Sequence, residues 1–222
     1  MRVELNHLSL AYGEKPPLFT DLNLILNDGD FILITGPSGS GKSSLLRLIN
    51  ILHAPIAGFI HIDDLPIDQH EVTRLRRRIG YIQQVPVMLP GTVRENLHLP
   101  FRFKTAKDQS APDDPKMRDS MDGFLLQDVG LADDASQLSV GQKQRLSLIR
   151  TMLTRPEVIL CDEPTSALDP ESKSVVEEWI IRLNTDSNTT ILMVSHQDFT
   201  PAGVNPQRYI LSTNGLSSLS AT

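Results

Sequence analysis

The chain has one cysteine in 222 residues, which excludes an internal disulfide and suits a reducing compartment. That residue, Cys161, lies in the apolar run Val158-Ile159-Leu160-Cys161 and is expected to be a small core residue, not a nucleophile. No stretch approaches the ~20 apolar residues that a spanning helix needs, so any membrane association would come from a partner. The opening Met1-Arg2-Val3-Glu4-Leu5-Asn6 carries charge where a signal peptide needs an apolar core. A basic field is missing too: the formal net charge is −6, which argues against nucleic acid as a partner. Arg74-Leu75-Arg76-Arg77-Arg78 is the local exception and reads as a solvated helix face. Neither an internal repeat nor a sustained heptad is visible. The length suits one α/β domain with a full core, with or without a small insert.

What is present begins with Gly36-Pro37-Ser38-Gly39-Ser40-Gly41-Lys42-Ser43, which fits the phosphate-binding pattern G-x-x-x-x-G-K-[ST]. Phe31-Ile32-Leu33-Ile34-Thr35 before it reads as a buried strand. Leu45, Leu46, Leu48, Ile49 and Leu52 after it recur at helical spacing. Strand, glycine-rich turn and helix is the context that the motif requires. The glycines let backbone wrap a phosphate, and the freed N–H groups and helix N-terminus attract the anion. Lys42 is expected at the β- and γ-phosphates and Ser43 at Mg²⁺, with Ser44 among the ATP-binding residues.

Further strands are expected at Val3–Tyr12, Leu22–Leu26, Phe59–Ile62, Ile79–Ile82, Val158–Cys161, Thr190–Val194 and, as the last, Tyr209–Ser212. The turn Asn27-Asp28-Gly29-Asp30 is expected to close a hairpin onto the strand before the loop. Lys104–Met117, rich in Asp, Pro, Lys and Ser, reads as surface loop. Helices are expected at Thr92–Leu99, Met117–Val129, Val140–Leu153 and Glu171–Leu183. A parallel α/β core, about 1–84 and 156–222, is thus interrupted by a mostly helical segment at about 85–155. With the last strand so near residue 222, no regulatory tail is expected.

Two further segments carry chemistry. Val158 to Cys161 ends in Asp162-Glu163, an acid placed for a cation and a second placed as general base. Leu138-Ser139-Val140-Gly141-Gln142 precedes a helix and puts Ser139 at its N-cap, an anion site without a cationic side chain. The chain already has one phosphate cradle, so a second anion site is redundant unless it serves a nucleotide held by another copy.

With these motifs the chain resembles the ATP-binding-cassette (ABC) ATPases over nearly its whole length. Their signature is usually Leu-Ser-Gly-Gly-Gln, followed by a stretch like Lys143-Gln144-Arg145-Leu146-Ser147-Leu148. Val140 stands where the family has glycine; as a first helical residue it needs only negative φ, which valine adopts. The resemblance implies an α/β P-loop NTPase core with an antiparallel β subdomain and a helical insert. It also implies one ABC ATPase domain spanning 1–222. Tyr12 is placed like the aromatic that stacks on adenine, and Gln84, preferred over Gln83, like the glutamine that touches Mg²⁺. Ser166 and Asp169 match the loop at the dimer interface, and His196 the histidine at the γ-phosphate.

The implied function is hydrolysis of ATP with Mg²⁺, with Glu163, His196 and Lys42 catalytic. Ser43, Gln84 and Asp162 would serve the cation, and Ser139, Val140, Gly141 and Gln142 the nucleotide of the opposite copy. A homodimer on ATP binding is implied. So is a separate multi-span permease at the inner (plasma) membrane, which would hold the chain peripherally at its cytoplasmic face. Pro90-Gly91-Thr92-Val93-Arg94-Glu95-Asn96-Leu97 resembles a segment of exporter-type cassettes. Asp133-Asp134-Ala135-Ser136-Gln137 lacks both the fused-exporter pattern and the Tyr-Pro pair frequent in importers. With Ile34-Thr35-Gly36-Pro37-Ser38-Gly39, Pro100-Phe101 and Gln144–Arg150, the mixture resembles the FetA-type iron-export ATPase group. The alternative is a soluble cassette acting on DNA or ribosomes; such members carry long coiled coils or two cassettes, which this chain lacks. A small-molecule kinase would need no signature segment.

Overall fold

A computed structural model describes residues 1–103, 109–196 and 199–219. The strands are β1 (Val3–Leu10), β2 (Phe19–Leu26), β3 (Phe31–Thr35), β4 (Ala57–Ile62), β5 (Leu65–Pro66), β6 (Ile79–Ile82), β7 (Val158–Asp162), β8 (Thr190–Val194), β9 (Gln207–Ser212) and β10 (Gly215–Leu219). The helices are α1 (Lys42–Ile49), α2 (Val72–Arg78), α3 (Val93–His98), α4 (Asp114–Gly123), α5 (Val140–Met152) and α6 (Pro170–Ser187).

Two sheets form. One is antiparallel, in the order β2-β1-β4-β5. The other has the order β10-β9-β3-β8-β7-β6, parallel throughout except where β10 joins β9. Every residue of β7 and β8 is buried, as in strands covered on both faces. Side-chain alternation divides the residues of β3, β7 and β8 between two cores. Ile32, Ile34, Leu160, Leu192 and Val194 join α1 and the antiparallel sheet. Phe31, Leu33, Ile159, Cys161, Ile191 and Met193 join α3, α4, α5 and α6. Cys161 is fully buried, which pushes its thiol far up.

The turn at residues 27–30 forms, with Asp30 N–H donating to Asn27 O at 3.1 Å, but it closes no hairpin. β2 pairs with β1, while β3 pairs with β8 and β9. The burial patterns explain this. β2 alternates, with Asp21, Asn23 and Ile25 exposed, and suits a sheet covered on one face. The first four residues of β3 are all buried, which requires cover on both faces.

α4 begins at Asp114, within the segment expected as loop, because Asp113 accepts from Lys116 N–H at 3.0 Å and Pro115 sits in the first turn. It ends at Gly123, before Val129, where Leu125 turns left-handed at φ 55°. Residues 104–108 of that segment lie outside the described residues. β10 follows the strand expected to be last.

In the arginine run Arg74 and Arg76 are exposed, as a solvated face requires, and Arg77 and Arg78 are half-buried, but three of the four also hold neighbouring segments. Arg76 donates to Asn50 O (3.1 Å) and Ile51 O (3.0 Å) at the end of α1. Arg77 donates to Pro100 O at 3.0 Å. Arg78 pairs with Glu157 (2.6 Å) and Asp63 (2.7 Å). Carbonyls left open at helix ends need such donors, so the run fastens α2 to its surroundings.

Candidate functional site

The loop from Gly36 to Gly41 joins β3 to α1. Gly36 has φ 149°, and a Cβ there would lie 2.5 Å from Leu211 O. Gly41 is the N-cap of α1 at φ 97°, with no side-chain cap. The first N–H groups of α1 therefore face the loop instead of a capping oxygen. Lys42 is buried and donates from Nζ to Gly36 O (2.9 Å) and Pro37 O (3.0 Å). Burial pulls its ammonium below the usual lysine range, and the Glu163 and Asp162 carboxylates oppose that shift. Ser40 Oγ is buried within the loop without a hydrogen-bond partner. An orphaned buried donor inside a ring of backbone N–H groups fits a phosphate oxygen. Pro37, Ser38 and Gly39, all exposed, complete the rim.

Across the C-terminal end of the parallel sheet, distant residues meet. Ser43 Oγ donates to Asp162 Oδ1 at 2.7 Å. Gln84 Nε2 donates to Glu163 Oε2 at 3.1 Å. His196 Nε2 lies 3.1 Å from the other oxygen, Glu163 Oε1. Glu163 itself sits at φ 49°, and its N–H bonds Val194 O at 3.1 Å, so the neighbouring strand fixes this left-handed turn. Asp162 is 2% exposed. Among the described residues no group of three or more His, Cys, Asp or Glu could hold a metal. A hydroxyl, one carboxylate and an amide oxygen (Ser43, Asp162, Gln84) are hard donors that suit Mg²⁺, whose coordination is usually completed by phosphates and water.

Tyr12 stands beside this cradle. Its hydroxyl donates to Ser44 Oγ at 3.0 Å, its ring meets His53 edge-on at 5.4 Å, and it is 40% exposed. Ser44 is thereby tied to the tyrosine.

The segment Ser139–Gln142 opens α5 with a capping box. Ser139 Oγ accepts from Gln142 N–H at 3.2 Å, and Ser139 N–H donates to Gln142 Oε1 at 2.9 Å. Ser139 is thus the N-cap and Val140 the first helical residue. Among the described residues no hydrogen bond or ion pair joins 139–142 to the loop at 36–44. Asp169 caps α6 by accepting from Ser172 N–H at 2.9 Å, and the Ser172 hydroxyl, then this backbone bond, hold its carboxyl below the usual range. Ser166 Oγ donates to Glu163 O at 3.1 Å, which tightens the turn after Glu163.

Two residues escaped sequence reasoning. Tyr81 donates to Asp162 Oδ2 at 3.0 Å. Burial, then the Asp162 charge, push its phenol up to about 12, so it remains a donor. Gln144 on α5 is buried and donates to Gln83 O at 3.2 Å, joining that helix to the segment before Gln84. Its place one helical turn and a residue after Ser139, on the apolar side of α5, was the available sign.

A phosphate cradle between a central parallel strand and a helix, with a carboxylate on the next-but-one strand, defines a P-loop nucleotide-binding α/β fold. Residues 19–166 match the ABC transporter family, and the chain belongs to it. STAR1 of Oryza sativa subsp. japonica is 39% identical over 86% of this chain and 54% of its own length. The methionine import ATP-binding protein MetN 2 of Bacillus cereus (strain ZK / E33L) is 37% identical over 88% of this chain and 59% of its own. The chain thus spans a little over half the length of these two relatives. The dimeric post-hydrolysis state of the ATP-binding cassette MJ0796, bound to ADP and Pi, superposes with a TM-score of 0.80 at 27% identity. That match covers 99% of this chain and all of that one. The fold is therefore that of an ABC ATPase.

Proposed function

We propose that this chain is the ATP-binding and ATP-hydrolysing subunit of an ABC transporter, driving a separate membrane permease through ATP-dependent pairing of two copies. The observation that carries the reading is Glu163, held between Gln84 and His196 beside the Ser43–Asp162 pair and Lys42. Glu163 accepts a proton from the water that attacks the γ-phosphorus. The bond from that phosphorus to ADP breaks, and ADP and phosphate leave. His196 keeps Glu163 and the γ-phosphate in register. Lys42 offsets charge on the β- and γ-phosphates, and Tyr12 supports the base. Magnesium, when bound, adds Lewis-acid charge neutralisation; Ser43, Asp162 and Gln84 would hold it.

Residues 1–84 and 156–222 act as the ATP-binding core, and 85–155 as the lobe that presents Ser139, Val140, Gly141 and Gln142 to the nucleotide of the other copy. Ser166 and Asp169 border that contact. Binding favours the closed pair because the γ-phosphate gains donors from both chains, and hydrolysis removes the bridge. Val85, Val87 and Leu89 follow Gln84 and are 72%, 53% and 45% exposed, which supports this stretch as part of the permease surface. Among the described residues no helix is long and apolar enough to cross a membrane, so the permease would hold the chain at the cytoplasmic face of the plasma membrane. The exporter-like segment at 90–97 supports efflux, with iron or another metal as cargo.

Pull-down of tagged Glu163→Gln protein from native membranes with ATP should recover a multi-span protein. Recovery of ribosomes, DNA or soluble partners alone would overturn the transporter reading. Cells lacking the chain should retain more radioactive iron; unchanged retention would overturn the cargo.

A further inference from the structure

The Asp162 carboxylate has two oxygens, and each has one donor. Ser43 serves Oδ1 from the phosphate loop side, and Tyr81 serves Oδ2 from the neighbouring strand. Strand pairing places Tyr81: β6 runs parallel to β7, with Tyr81 opposite Leu160 and Ile82 opposite Cys161. The tyrosine ring packs at the margin of the first core. A phenylalanine would fill that space equally well, so packing explains the ring and leaves the hydroxyl unexplained.

The two donors are not equivalent. Ser43 is a residue for which a divalent cation competes. When its hydroxyl turns to the ion, Oδ1 loses its partner. Tyr81 then becomes the group that fixes the plane of a carboxylate buried to 2% exposure. A buried carboxylate free to rotate presents its lone pairs poorly and loses the bonds that offset its desolvation. The Arg47 guanidinium, on the same helix as Lys42 and Ser43, faces the same tyrosine hydroxyl. Tyr81 therefore stands where α1, β6 and β7 meet, behind the acid and on the side away from the phosphate loop.

We propose that Tyr81 is a positioning residue whose hydroxyl holds Asp162 Oδ2, so that Oδ1 is presented to the divalent cation that binds with the nucleotide. The inference rests on the reading of Asp162 as the cation-side carboxylate. Groups that orient a metal-binding carboxylate from behind typically change metal affinity about 10–100-fold when removed.

The test uses Mn²⁺ as the probe, titrated by electron paramagnetic resonance into the full chain with a non-hydrolysable ATP analogue. Tyr81→Phe should bind Mn²⁺ about 10-fold more weakly than the parent. Its nucleotide affinity in EDTA should stay close to the parent value, while its thermal midpoint should fall by a few degrees, because Oδ2 stays buried and loses its donor. In turnover assays the apparent KM for Mg²⁺ should rise while kcat at saturating Mg²⁺ recovers. Unchanged Mn²⁺ affinity in folded Tyr81→Phe protein would overturn the inference. So would an equal loss of nucleotide affinity in EDTA, because the hydroxyl would then serve the phosphate loop itself. If the parent chain takes up no Mn²⁺ with the nucleotide, the reading of the site beneath the inference fails first.

Discussion

The sheet-end cluster and the segment Ser139–Gln142 are built on opposite principles. At the sheet end, residues far apart in sequence bond one another: Ser43 with Asp162, Gln84 with Glu163, His196 with Glu163. In the second segment Ser139 and Gln142 bond each other, three residues apart. The glycines differ in the same way. Gly36 is demanded by its own fold, because a Cβ would strike the backbone of Leu211 at 2.5 Å. Gly141 is not: a Cβ there would meet only Leu168 Cδ2, at an ordinary 3.6 Å. A small residue that its own packing does not require leaves room for the approach of another copy that the proposed function calls for. On the proposed reading, one region is complete within a single chain, and the other is half of a site.

The hardest blow to that contrast is aimed at Glu163. Glu163→Gln keeps the size and one acceptor of the side chain but removes the base. Phosphate release should fall about 10²–10⁴-fold, the usual worth of a positioned base, while ATP binding persists. Near-normal turnover would move the base elsewhere and leave the cluster structural. Lys42→Ala comes next. Losing its charge-assisted bonds, at about 1.5–3 kcal/mol each, should weaken nucleotide binding about 10–100-fold in an isothermal titration. Unchanged affinity would show that the loop does not hold phosphates.

How much of this was legible depends on the reach of each interaction. The phosphate loop was readable because strand, turn and helix are local and the glycines announce the backbone they permit. The N-cap at Ser139 was readable for the same reason. Tyr81 was not, because its hydroxyl finds Asp162 only after β6 and β7, about 80 residues apart, pair in parallel. The partner of β2 was misjudged because a turn was taken to imply a hairpin; the one-sided alternation of β2 against the continuous apolar run of β3 distinguishes the two sheets. β10 is a polar edge strand, Gly215-Leu216-Ser217-Ser218-Leu219, with little hydrophobic pattern. Its sign was Asn214-Gly215, a dipeptide favoured in hairpin turns. The arginine run is exposed at Arg74 and Arg76, and what composition does not reveal is that Arg76 also faces the carbonyl end of α1.

Gly141→Ala probes the half-site directly. Gly141 is half-buried in the first turn of α5, where alanine gains less than its helix-interior advantage over glycine of about 0.8–1 kcal/mol, so the thermal midpoint should hold or rise slightly. Nucleotide binding to the separated chain should be unchanged. Turnover, which on the proposed reading needs the second copy close to this surface, should fall about 10-fold if one charge-assisted contact is lost. A fall in midpoint without a fall in turnover would mean that Gly141 serves its own chain and that the contrast with Gly36 is false.

Val140→Gly should have the smallest effect and sharpens the same point. Val140 is 59% exposed and is the first residue of α5, so truncating it leaves little new cavity. Its N–H is one of the helix's open donors, and glycine there presents the same donor with less bulk above it. The cost is conformational, below about 1 kcal/mol, or no more than about 4 °C in thermal midpoint for a chain of this size. Turnover should be kept or raised, because on the proposed reading the branched side chain stands on the surface that the other copy approaches. A larger loss of stability would show that Val140 packs against its own chain. A clear loss of turnover at unchanged stability would make the valine itself a contact, and the half-site would then recognise its partner through an apolar side chain as well as through N–H groups.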